Sequence, residues 1–177
     1  MEKLGWHSLG KSFECECGVR HELPIEACYL GEGAAQRLAA FAKEKCGSRC
    51  LVVSDENTRH VGGEGLLSAL SSAGKKCVEH TYGPDPLEAT EALGEEVARA
   101  GKDVDFFVAI GSGTLCDLAK YAGHKWKRPA LLYATAASMN GYTSSIVAMK
   151  IRGLKRTSPV TPALGVFADP EVVATAP

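Results

Sequence analysis

A chain of 177 residues with 20 Lys+Arg against 21 Asp+Glu, a net charge of −1 and 45% hydrophobic residues is sized for one globular domain with a full core. The balanced charge argues against a dedicated nucleic-acid binder or a polybasic membrane module. No apolar run approaches the roughly 20 residues that span a bilayer, and the first residues carry no apolar signal core, so no membrane partner and a cytoplasmic location are expected.

Near the start, Cys15-x-Cys17 has His7 and His21 nearby. Alternate residues of an extended strand face opposite sides, so no metal role is assigned to the pair. Most of the seven cysteines are read as small buried apolar side chains. Residues 25–30 read as a strand, and 34–46 as a helix with Ala35, Leu38, Ala39, Ala42 and Cys46 on one stripe. Residues 50–54 form a second strand, 64–73 a helix on Leu66, Leu67, Leu70 and Ala73, and 76–81 a third strand. Asp85 at N-cap, Pro86 at the first helical position and Glu88 at the third predict a helix from there to about 100. The apolar run 104–110 suits a strand covered on both faces. A helix over 114–125 and a strand over 130–134 follow. This alternation predicts βαβ units and a mostly parallel sheet. Residues 144–157 then alternate apolar and polar around Gly153, as a hairpin does. A last strand covers 164–168, and Asp169-Pro170-Glu171 opens a helix that has barely begun at Pro177. The chain is therefore expected to be the front part of a longer protein.

The strongest local feature is Gly111-Ser112-Gly113-Thr114-Leu115, directly after the most apolar strand and opening a helix. Glycines there let a ligand approach the backbone, and the free N–H groups of a helix start favour a phosphate. The carboxyl end of a parallel strand is also where open α/β sheets bind ligands. A second loop, Gly31-Glu32-Gly33, lacks a third glycine, and Glu32 would repel a pyrophosphate. Asp55 ends the next strand, where it serves either as a ribose-binding acid or as the N-cap of Glu56-Asn57-Thr58. The loop 135–145, rich in Ala and Ser around Met139, could pack on a ring and hydrogen-bond an amide or sugar. The basic stretch 150–156 is a solvated hairpin or the wall facing a phosphorylated substrate.

Taken together, GSGTLCDLAKY, PALLYATAASMNGYTSS, GLKRT and FADPEVVATAP resemble the sn-glycerol-1-phosphate dehydrogenase branch of the iron-containing alcohol dehydrogenase and dehydroquinate synthase superfamily. The resemblance runs from about residue 25 and is densest over 110–177. It implies a Rossmann-like, doubly wound NAD(P)-binding domain over 1–177, and a helical metal-binding catalytic domain absent from this chain. It further implies that Asp55 holds the adenosine ribose and that Gly111, Ser112, Gly113, Thr114 and Leu115 cradle the pyrophosphate. Asp117 is counted with these cofactor-binding residues, and Thr135, Ser138 and Ser144 line the nicotinamide region. Asn140 stands where Asp is common in the family and contacts the polyol; Asn keeps hydrogen bonding but removes a charge. Cys116 stands where Asn is common.

The resemblance implies NAD as cofactor, with NADP as the alternative. Zinc or iron comes only with the absent domain. It implies a small polyol phosphate as substrate and a homo-oligomer in the full-length protein. A dehydroquinate synthase-like lyase domain and a stand-alone nucleotide-binding regulatory domain are the rival readings. No catalytic residue and no metal ligand is assigned within residues 1–177.

Overall fold

A computed structural model describes residues 5–176. After a short 3-10 turn, the strands β1 (Ser12–Glu14) and β2 (Arg20–Glu22) form a small antiparallel ribbon. The main body then runs β3 (Ala27–Leu30), α1 (Ala34–Lys45), β4 (Arg49–Asp55), α2 (Glu56–Thr58), a π-helical turn Arg59–Gly63, α3 (Glu64–Ser72), β5 (Lys76–Tyr82), α4 (Glu91–Ala100), β6 (Phe106–Gly111), α5 (Gly113–Trp126) and β7 (Ala130–Ala134). It closes with the hairpin β8 (Ile146–Ile151) and β9 (Leu154–Pro159), then β10 (Gly165–Ala168) and α6 (Pro170–Val173).

Six strands form one sheet in the order β3-β10-β7-β6-β4-β5, and every pairing in it is parallel. The side-chain alternation of β6 shows why the run 104–110 reads as apolar throughout. Phe106, Val108 and Ile110 point to one face and pack with Leu38 of α1 and Leu66 and Leu70 of α3. Phe107 and Ala109 point to the other and pack with Val97 of α4 and Leu118 and Ala122 of α5. All six residues of β6 are buried, as expected of a doubly wound sheet covered on both faces. No helix among the described residues is long and apolar enough to cross a membrane.

The hairpin lies outside the sheet and is docked on its α4–α5 face. Its two-residue turn places Arg152 at φ 50° and Gly153 at φ 81°, the left-handed pair that matches strand twist. Val147 and Met149 are buried against the α4–α5 side. The Ala148 N–H donates to Asp117 Oδ2 at 2.9 Å, and the Lys150 N–H to Ala89 O at 2.7 Å.

Three expectations change. The helix expected from Asp85 begins at Glu91, and its N-cap is Thr90, whose hydroxyl accepts from the Leu93 N–H at 3.2 Å. Residues 84–90 are held away from helix geometry by the Thr114 hydroxyl on Leu87 O at 3.1 Å and by the Lys150 bond to Ala89. Two prolines, Pro84 and Pro86, also disfavour helix in the residues before them. Thr90→Ala should cost about 1 kcal/mol, read as a lower urea midpoint with an unchanged slope.

Second, only Cys50 and Cys116 of the seven cysteines are fully buried; Cys17 is exposed and the rest lie half-buried. Third, Cys15 and Cys17 do not occupy a strand. β1 stops at Glu14, and a turn follows in which the Gly18 N–H donates to Cys15 O at 2.9 Å and the Cys15 N–H to Val19 O at 3.2 Å. Gly18 takes φ 80° there, a conformation glycine supplies without strain. The Cys17 backbone N–H, and after it the Cys17 thiol, hydrogen-bond the Cys15 sulfur and hold its pKa below the ordinary thiol value.

Candidate functional site

The strand order places the chain reversal of the sheet between β4 and β6. After β4 the chain leaves through α3, on the α1 face; after β6 it leaves through α5, on the opposite face. Such a switch point opens a crevice at the carboxyl ends of the two strands, where open α/β sheets take ligands. Val53 is paired with Ala109, so Asp55 and Gly111 stand level at the crevice on neighbouring strands. Gly111 is in turn opposite Ala134, which brings Thr135 alongside.

The turn from β6 into α5 is tight. A Cβ on Gly111 would lie 2.5 Å from Leu115 Cδ1 and 3.0 Å from Leu115 Cβ, so no larger residue fits without displacing that side chain. Gly113 is different: its Cβ would meet Met139 Cγ at an ordinary 3.5 Å, and its φ is not positive. The positive-φ argument for glycine therefore does not apply at Gly113. α5 is 14 residues long, its N-cap Ser112 makes no side-chain capping bond, and its first turn contains no acid. The first-turn N–H groups, which have no partner within a helix, are left directed at the crevice for an anion.

Beside this helix start lies a cavity of about 650 Å³. Gly113, Thr114 and Asp117 form one wall, Asn140, Gly141 and Ser144 another, with Lys150 and Lys155 of the hairpin and Leu87 and Glu88 across from them. Of the residues expected from the sequence, Gly113, Thr114, Asp117, Asn140 and Ser144 thus share one space. Asp55, Gly111 and Ser112 lie at the crevice rather than on this cavity wall. The Leu115 side chain is 3% exposed and packs into the core, so only its backbone can face a ligand. Thr135 is buried, with its N–H donating to Gly111 O at 3.2 Å. Ser138 is exposed on the loop.

Several of these side chains already have structural bonds. Asp55 caps α2: its Oδ1 accepts from the Thr58 N–H at 2.7 Å, and the Thr58 hydroxyl accepts from the Asp55 N–H at 3.1 Å. The N-cap reading is realised, and it occupies one carboxylate oxygen. Both oxygens of Asp117 are engaged, Oδ2 by the Ala148 N–H and Oδ1 by Lys120 Nζ at 3.1 Å. The Ser144 hydroxyl is 2.9 Å from Gly141 O.

Lys120 was not singled out in the sequence. It is 0% exposed, and its Nζ donates to Gly141 O at 3.0 Å, Ile146 O at 2.9 Å and Ser144 Oγ at 3.3 Å besides pairing with Asp117. It fastens the loop 135–146 to α5. The available signal was its place among Leu118, Ala119 and Ala122, one turn after Asp117, where a solvated lysine does not belong. Tyr142 works with it: its hydroxyl donates to Ala136 O at 2.8 Å, and burial pushes its pKa up to about 12. On the hairpin, Lys150 and Lys155 are cross-strand partners. Lys150 pairs with Glu88 at 3.0 Å. Like charges placed opposite each other repel, and Glu88 offsets part of that repulsion here. Among the described residues, the one set of three His, Cys, Asp or Glu side chains with ligand atoms within 4.8 Å of one another is Cys15, Cys17 and His21, on the N-terminal ribbon.

Comparison with known proteins identifies relatives of this fold. The chain is 32% identical over 169 residues to the glycerol-1-phosphate dehydrogenase [NAD(P)+] of Halalkalibacterium halodurans, a match covering 93% of this chain and 42% of that protein. It superposes on the glycerol dehydrogenase of Schizosaccharomyces pombe with a TM-score of 0.76 at 22% identity, over 86% of this chain and 39% of that one. An iron-containing alcohol dehydrogenase of Thermotoga maritima gives a TM-score of 0.77 at 17% identity, over 86% and 48%. The chain spans about 42% of the length of the curated relatives it matches. The sequence model of the iron-containing alcohol dehydrogenases matches residues 29–177, from the second half of β3 through the last helix, and the chain belongs to that family.

Proposed function

We propose that this chain is the dinucleotide-binding half of an NAD(P)-dependent dehydrogenase acting on glycerol 1-phosphate or a related polyol phosphate. The observation that carries the reading is the uncapped start of α5 at the β4–β6 crevice, opening on a cavity with two lysines. The names of the curated relatives support the substrate class and the cofactor pair.

In this proposal the backbone N–H groups from Ser112 to Leu115 bind the pyrophosphate, with Gly113 admitting it closely and Gly111 allowing the tight turn over Leu115. The second carboxylate oxygen of Asp55 takes the adenosine ribose hydroxyls. Thr135, Ser138 and Ser144 border the nicotinamide, and Asn140 hydrogen-bonds the polyol. Asp117 acts through the bonds that hold the hairpin and Lys120. Lys155 and Lys150 face the substrate phosphate. The nicotinamide, when bound, exchanges a hydride with the secondary alcohol carbon, and the protein supplies orientation.

A catalytic iron or zinc does not fit the residues around this cavity, which offer no set of three ligands. We assign those ligands to a segment outside these residues, and no step above depends on them. A cytoplasmic homo-oligomer belongs to the same proposal.

Calorimetric titration of the chain with NAD and NADP tests it. NAD should bind more tightly, because the Asp55 charge repels a 2′-phosphate. Asp55→Asn keeps an oxygen to cap Thr58 but removes the charge, and should narrow the NAD preference about tenfold, the equivalent of roughly 1.4 kcal/mol. Tighter NADP binding by the wild type would refute the role of Asp55. Binding of neither dinucleotide would refute the assignment of the domain.

A further inference from the structure

We infer that Cys15, Cys17 and His21 form a zinc-class metal site that staples the N-terminal ribbon. The three ligand atoms lie within 4.8 Å of one another, and Cys17 Sγ is 3.3 Å from His21 Nε2. A tetrahedral zinc with Zn–S of about 2.3 Å and Zn–N of about 2.0–2.1 Å sets its sulfur and nitrogen ligands about 3.6 Å apart. The arrangement needs little movement to close on an ion.

The surrounding structure is organised for this. The turn 16–18, with Gly18 in its left-handed conformation, folds Cys17 back over Cys15. β2 pairs with β1 so that His21 stands opposite Phe13. Their rings stack at 5.5 Å between centroids and 30° between planes, which fixes the imidazole. Cys15 and His21 also line a cavity of about 770 Å³ bordered by Lys11, Phe13 and Glu16, which leaves room for a water ligand beside them.

Apart from its short backbone ladder, the ribbon is held by the Phe13–His21 stack and by exposed contacts of Arg20 with Glu14 and Ser12, which contribute little. β1 and β2 are three residues each, and every residue of β2 is exposed. A two-stranded ribbon of that size without a hydrophobic face is not stable by itself, whereas a metal supplies folding free energy directly. Two thiols and a neutral imidazole binding one Zn²⁺ release two protons and change no oxidation state. Cys₂His with an open position is a zinc ligand set. The proposal is independent of the dinucleotide reading, since the six-stranded sheet contributes none of the three ligands.

The test uses the 177-residue chain, reduced, stripped with chelator and then titrated with Zn²⁺, with Co²⁺ as a spectroscopic probe. About one metal per chain is expected, with thiolate-to-cobalt charge-transfer absorption and the visible bands of tetrahedral Co²⁺. Cys17→Ser and His21→Ala should each lose the cobalt spectrum and the stoichiometric zinc. Cys50→Ala should keep both, which separates this site from the Cys50–Cys77 neighbours 3.6 Å apart. The main thermal transition of the sheet should be retained in all three variants, so loss of metal is not loss of fold. Metal content well below one per chain, equal zinc binding by Cys17→Ser, or a Cys15–Cys17 disulfide in the reduced protein would each overturn the inference.

Discussion

Replacing Lys120 by Met should lower stability by about 3–5 kcal/mol, the range for removing one partner of a buried ion pair. For a chain of this size that is a fall in Tm of about 6–20 °C. Met keeps most of the volume of the lysine stem, so cavity formation contributes little. The loss comes from polar groups left without a partner. Asp117, whose side chain is 14% exposed, loses its cation, and the carbonyls of Gly141 and Ile146 lose a charged donor. The loop 135–146 should loosen with them, seen as faster amide exchange there than in β6 or β7. Pairing Lys120→Met with Asp117→Asn should recover part of the stability, because it removes the uncompensated charge while leaving an acceptor for the Ala148 N–H. A Tm within about 2 °C of wild type for the single variant, about 1 kcal/mol at most, would show that the network carries little.

Gly113→Val should leave the chain folded and weaken dinucleotide binding at least tenfold, about 1.4 kcal/mol. Space for the Cβ exists, with Met139 Cγ at 3.5 Å. Valine ranks above glycine in helix propensity, so the change costs nothing on that account. Its two methyl groups, though, stand over the N–H groups that a pyrophosphate must reach. Gly111→Ala makes the opposite case: its Cβ would lie 2.5 Å from Leu115 Cδ1, so stability rather than affinity should suffer first. Thermal unfolding and NAD calorimetry on the two variants separate the effects. Unchanged NAD affinity in a folded Gly113→Val protein would remove the phosphate from the start of α5.

Much of the architecture was legible because it rests on local rules. The run Phe106–Ile110 has no polar face, so both sides of that strand had to be covered, and the structure covers both. Helical stripes such as Leu66 with Leu70 bury where their period places them. The Arg152-Gly153 turn follows from alternation on either side of a glycine. The glycine turn after β6 was visible for the same reason, since a strand ending in Gly-Ser-Gly and opening an apolar stripe has few other geometries.

From the sequence alone follow most of the strands and helices after residue 25, a mostly parallel sheet and the strand–glycine–helix turn at residues 111–115. The tertiary structure alone decided the strand order that sets β4 beside β6 and so places Asp55 level with Gly111. It decided that residues 84–90 form a cavity wall rather than a helix, because their bonds go to Thr114 and Lys150, far along the chain. It decided that Lys120 is buried, because its partners come from a loop more than 20 residues away. It also brought Cys15, Cys17 and His21 together through a turn that an extended reading excluded. The physical reason is common to all four. Propensity and periodicity act between residues a few positions apart, whereas a polar group's partner is settled by whichever distant donor or acceptor the packed chain delivers to it.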